Sequence, residues 1–142
     1  MYSKAFKKIE YYLYTYNDID TRINELKEKM LNYEYNQNYG RWIKNKSSSL
    51  EDFIIRNDNL KEVIITKCKW KKITTRVLNK YKKEDKLKYK FINLKYFKKE
   101  NKFNIKEKIK LSFEEQKNMQ DEILQYIFAL AIQNGMLKEA IF

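Results

Sequence analysis

The chain has no histidine, no proline, one cysteine and two glycines in 142 residues. Each scarcity closes a class of chemistry. Without histidine there is no Ser/His or Cys/His nucleophile pair and no imidazole metal ligand. Cys68 alone cannot close an internal disulfide or build a zinc knuckle, and between Lys67 and Lys69 it reads as a half-buried thiol on a helix. Gly40 and Gly135 lie too far apart to form a glycine-rich phosphate loop. Long apolar runs are missing as well: the longest uncharged stretch, 123–137, is short for a membrane span and carries amides. The expectation is a cytoplasmic chain with no membrane partner, cofactor or metal. Paired acids such as Glu114/Glu115 and Asp18/Asp20 are of the kind that could hold Mg²⁺, but such pairs collect routinely at helix N-termini and on surfaces, so no enzyme is expected.

What is present is positive charge, and it is unevenly placed. The formal net charge is +12, and residues 61–110 hold nineteen Lys and Arg against five Asp and Glu. Residues 1–60 carry ten against nine, and residues 111–142 two against five. The competing reading is that a lysine-heavy coding bias put solvated lysines on every exposed face, against which the other two thirds of the chain show no such excess. A block of this kind is the footprint of a polyanion partner, with nucleic acid favoured because no lipid anchor accompanies it.

The hydrophobic pattern is helical throughout. Phe6, Ile9, Leu13, Tyr16, Ile19, Ile23, Leu26, Met30 and Tyr33 recur at three- and four-residue steps and predict one long amphipathic helix, with a three-three step through Tyr16 and Ile19. Residues 34–50 break the period and predict a connector, with Ser49 and Asp52 forming a cap for the next helix. That helix is expected from about Leu50 to Lys83, with Phe53, Leu60, Val63, Trp70, Ile73, Val77 and Tyr81 on its apolar stripe. Shorter helices follow: one with Leu87, Phe91, Leu94 and Tyr96 or Phe97 inward, and one at roughly 103–109. The last is capped by Ser112 and Glu115 and stopped by Gly135. The predicted fold is all-α: a long antiparallel helical hairpin over residues 1–83, then a C-terminal helix-turn-helix domain over residues 84–142.

The spacing Ile105-x-x-x-Ile109-x-Leu111-Ser112 supplies what a helix-turn-helix needs. Apolar anchors sit on the first helix, an apolar residue closes the turn, and a serine caps the helix that would enter the major groove. Gln116, Lys117, Asn118 and Gln120 are the candidate base readers, the amides being suited to adenine. Lys102, Lys106, Lys108 and Lys110 are the candidate phosphate contacts, with Lys86, Lys88 and Lys90 available from the helix junction together with Lys82 and Lys83. The recognition helix is itself acidic, because Lys117 faces Glu114, Glu115, Asp121 and Glu122. Its amides therefore either read bases or form a solvated face.

The arrangement also resembles a known family. Tyr14, Tyr16, Asn17, Ile19 and Asp20 near the N-terminus, the segments SSSLEDFIIRNDNL, FINLKYFKK and IKEKIKLS, and the ending DEILQYIFALAIQNGML look like the phage-encoded late-gene regulators of the ArpU and RinA type. Their C-terminus is similar to region four of sigma factors. The resemblance implies a DNA-binding transcriptional activator of phage late genes, with double-stranded DNA as partner. Host RNA polymerase and a second copy docked through the hairpin are further candidate partners. The sequence departs from the family pattern at Lys106, where a small residue is usual, and at Asn118, Met119 and Gln120, where an arginine and an aromatic are usual. The competing expectation is a helical interaction protein, binding RNA polymerase or itself, whose helix-turn-helix no longer binds DNA.

Overall fold

The structure is a computed structural model that describes the backbone of residues 3–38 and 46–137 and the side chains of residues 3–31 and 58–137. Every regular element in it is helical. Helix α1 spans Lys4–Tyr14, α2 Ile19–Asn38, α3 Lys46–Glu84, α4 Lys86–Ile92, α5 Lys102–Ile109 and α6 Phe113–Gln133. A 3-10 turn, Tyr16–Asp18, separates α1 from α2, and a π-helical turn, Asn93–Phe97, prolongs α4. Among the described residues no helix is long and apolar enough to cross a membrane.

The single first helix expected from Phe6 to Tyr33 is therefore two helices. α1 starts at Ser3, whose hydroxyl accepts the Phe6 N–H at 3.3 Å, and ends where the Thr15 hydroxyl donates to the Tyr11 carbonyl at 2.8 Å. The break falls on the three-three step. Leu13, Tyr16 and Ile19 at three-residue intervals match the three residues per turn of a 3-10 helix, so tightening the chain there keeps Leu13 and Ile19 buried.

The connector is also shorter than expected. α2 reaches Asn38 and α3 begins at Lys46, which places Ser49 inside α3 rather than at its cap. Serine and asparagine cost a helix only tenths of a kcal/mol to about 0.7 kcal/mol each, too little to end it. Gly40 lies outside the described residues. Along α3, Trp70, Ile73, Val77 and Tyr81 are buried as their stripe predicts, whereas Val63 is 42% exposed. Phe53 lies outside the described side chains.

The chain forms two compact units, Asp18–Trp70 and Met1–Asn17 with Lys71–Phe142. In the first, Ile19, Ile23 and Trp70 are buried. In the second, α1 packs on α6 and on the π turn, and α4, α5 and α6 pack on one another. Its core is built from Ile9 and Leu13 of α1, Phe91, Ile92, Leu94 and Tyr96 of the α4 segment, Ile105 of α5, and Ile123, Leu124, Ile127 and Ala131 of α6. Each large side chain buried in this way contributes about 1.5–3 kcal/mol, so α1 belongs to this unit energetically. Leu87, expected inward, is 39% exposed, and of the pair Tyr96 and Phe97 it is Tyr96 that is buried.

One polar contact ties three elements of this unit together. Glu10 Oε2 accepts from Tyr96 Oη at 2.8 Å and from Gln120 Nε2 at 2.9 Å, joining α1, the π turn and α6. α6 ends as its sequence predicts. Gly135 adopts φ 70°, its N–H donates to the Ile132 carbonyl, and the Met136 N–H donates to the Ala131 carbonyl, both at 2.9 Å.

Candidate nucleic-acid interface

The α5–α6 pair is joined by a turn whose geometry follows from three residues. Lys110 adopts the left-handed conformation (φ 59°, ψ 37°) and closes α5 on the Lys106 carbonyl. Leu111 is buried beneath the turn. Ser112 then caps α6 reciprocally: its hydroxyl accepts the Glu115 N–H, and the Glu115 carboxylate accepts the Ser112 N–H, both at 3.1 Å. The Ser112 backbone N–H, and after it the Ser112 hydroxyl, hold the Glu115 carboxyl below the usual glutamate range.

The candidate base readers separate into two groups. Gln116 does not face outward: it is 6% exposed, and its Nε2 donates to the Lys102 carbonyl at 2.9 Å and to the Leu111 carbonyl at 3.1 Å. Both donors of the amide are consumed in fastening α6 to α5. Gln120 is half-buried, its amide committed to Glu10. Lys117 and Asn118 are exposed. The reason is helical phase, since Gln116, Gln120, Ile123, Ile127 and Leu130 lie on one inward stripe. Running the Ile123–Leu130 stripe back one heptad would have found Gln116.

The candidate phosphate contacts separate too. Lys108 is ion-paired with Glu100. Lys88 lies 3.1 Å from Glu122 and 3.7 Å from Asp85, with its ammonium 5.4 Å from the centre of the Tyr81 ring. Burial raises the Tyr81 hydroxyl pKa far above its ordinary value, with Tyr126, Asp85 and Glu122 adding to it. Lys102 and Lys106 rest over the Phe113 ring, at 4.9 and 5.3 Å from its centre. They flank an aromatic pair, Phe103 and Phe113, edge to face at 5.0 Å, beside an open hollow of about 660 Å³ that Lys110 also lines.

The remaining cations converge elsewhere. Lys82 and Lys83 near the end of α3, with Lys86 and Lys90 of α4, line an open groove of about 820 Å³ together with Asn79 and Tyr89. Asp85 separates the two helices and caps α4, accepting the Lys88 N–H at 3.2 Å. All four lysines are exposed, and among the described residues none has a carboxylate partner. A second cavity of about 450 Å³ adjoins the groove and shares Asn79, Lys82 and Tyr89 with it. Its other walls include Tyr16 and Phe97, stacked at 5.5 Å, and Asn17, Asn93 and Lys98. Composition marks the lysines but not Tyr16, Asn17, Asn79, Tyr89, Asn93 or Phe97, because their convergence depends on the 3-10 turn after α1 meeting α3 and the α4 segment. No protein-family model, curated protein or solved structure matches this chain.

Proposed function

We propose that the chain is a DNA-binding transcriptional regulator of the phage late-gene activator type. The observation that supports it most is the cluster of Lys82, Lys83, Lys86 and Lys90, four exposed ammonium groups in one groove without a carboxylate among the described residues to neutralise them. Uncompensated charge of this kind raises the local concentration of a polyanion and, on meeting phosphate, releases the counterions condensed on the nucleic acid. In this reading α2 and the N-terminal half of α3 form an antiparallel helical hairpin, and α5 and α6 act as a helix-turn-helix. Lys117 and Asn118 are then the residues left to meet base edges, with Lys102, Lys106 and Lys110 on the flanking phosphates.

The test is a mobility shift with duplex DNA taken from upstream of phage late genes, with heparin as competitor. A retarded complex that survives heparin is expected, and it should be lost when all four groove lysines are changed to glutamine. Absence of any complex at about 50 mM salt, where phosphate contacts are strongest, would overturn the reading. Two observations favour the interaction-protein alternative: Glu114 on the exposed face of α6 repels phosphate, and Phe103, packed on Phe113 of that helix, is 61% exposed. Co-purification with RNA polymerase in the absence of DNA binding would support that alternative.

A further inference from the structure

We propose that the groove between α3 and α4 takes an unpaired DNA strand, a statement that rests on the nucleic-acid reading and specifies its ligand. Shape is the first argument. The bases of duplex DNA are read by an element that protrudes into a major groove about 12 Å wide, so a concave site of about 820 Å³ can hold duplex phosphates but presents nothing that reads duplex bases. A single strand is thin enough to lie in it.

Composition is the second argument. Non-specific single-strand sites combine a basic track for the backbone with aromatic faces for the bases. Here Lys82 and Lys83 come from α3, Lys86 and Lys90 come from α4, and Tyr89 stands among them, half-buried. The tyrosine therefore has a fixed place while part of it stays accessible. The adjoining cavity of about 450 Å³ is lined by that tyrosine and by the stacked Tyr16 and Phe97 rings. Tyr16 is held by a hydrogen bond of 2.6 Å between its hydroxyl and Thr75 Oγ1. Asn17 and Asn79 line the same cavity, and neither side-chain amide has a hydrogen-bond partner among the described residues, so both can meet the polar edge of a base. The strand's phosphates follow the lysines, and a base turned inward stacks on an aromatic wall.

The experiment is fluorescence anisotropy on the full chain with three labelled probes of one sequence: single-stranded DNA, single-stranded RNA and duplex DNA. Single-stranded DNA should bind most tightly. Tyr89→Leu, which keeps apolar bulk but removes the ring, should lower the ratio of single-strand to duplex affinity on the order of tenfold, and Tyr89→Phe should restore it. Circular dichroism of each variant guards against misfolding. Duplex binding as tight as single-strand binding, tighter binding to RNA, or a ratio indifferent to Tyr89→Leu would overturn the proposal while leaving the nucleic-acid reading in place. Failure of all three probes to bind would overturn both.

Discussion

The side-chain amide of Gln116 donates to the main-chain carbonyl of Lys102 at 2.9 Å, tying the first turn of α6 to the first residue of α5. A residue whose chemistry suits base reading is used to fix the angle between two helices. Gln116→Ala should therefore destabilise the fold by about 1–3 kcal/mol, because it removes the two side-chain bonds that reach the Lys102 and Leu111 carbonyls. Asn118→Ala, at an exposed position, should change stability by less than about 0.5 kcal/mol but weaken a cognate duplex by about 1–3 kcal/mol. Urea denaturation and duplex titration of both variants check the contrast. A Gln116→Ala protein that unfolds at the wild-type urea concentration would contradict the structural role of the amide.

Lys110 occupies a left-handed conformation that costs a residue with a Cβ about 1–2 kcal/mol and costs glycine almost nothing. The conformation is imposed by the turn, since Leu111 must be buried while Ser112 caps α6. Lys110→Gly should raise stability by about 1 kcal/mol, visible as a higher urea midpoint by circular dichroism. A lowered midpoint would mean that the lysine side chain contributes more at that turn than the backbone costs.

Legibility in the sequence followed the range of the interaction. The Ser112 cap with Glu115 and the Gly135 stop were readable because capping is local chemistry among residues three or four apart. The buried stripe Trp70, Ile73, Val77 and Tyr81 was readable for the same reason. The break after Tyr14 was not, since the apolar period continues across Thr15 to Asp18 and only the doubled three-residue step betrays it. Nor was the membership of α1 in the C-terminal unit, which depends on Glu10 meeting Tyr96 and Gln120 from 86 and 110 residues away. Lysines 86, 88 and 90 look alike in sequence. Helical geometry turns Lys88 toward Glu122 and leaves Lys86 and Lys90 on the groove.

The capping box makes the start of α6 sensitive to acid. The Ser112 N–H holds the Glu115 carboxyl below its usual value in the folded chain, so its contribution to stability is fully present above the unfolded glutamate value of about 4.3. It is lost as pH falls through the lowered folded value. Glu115→Gln removes the titrating group, so the stability difference between wild type and variant should be larger at pH 7 than at about pH 3. A difference independent of pH, measured by urea denaturation at both values, would show that Glu115 does not titrate differently on folding.

The most direct measurement of the central claim is the salt dependence of DNA affinity, compared between the wild-type chain and a variant with Lys82, Lys83, Lys86 and Lys90 all changed to glutamine. If roughly six phosphates are neutralised, log K should fall against log salt with a slope of about −5 on duplex, and removing the four groove lysines should flatten it by about 3.6 units. A wild-type slope near zero, or a variant slope as steep as the wild type, would contradict the assignment of this groove as the polyanion site.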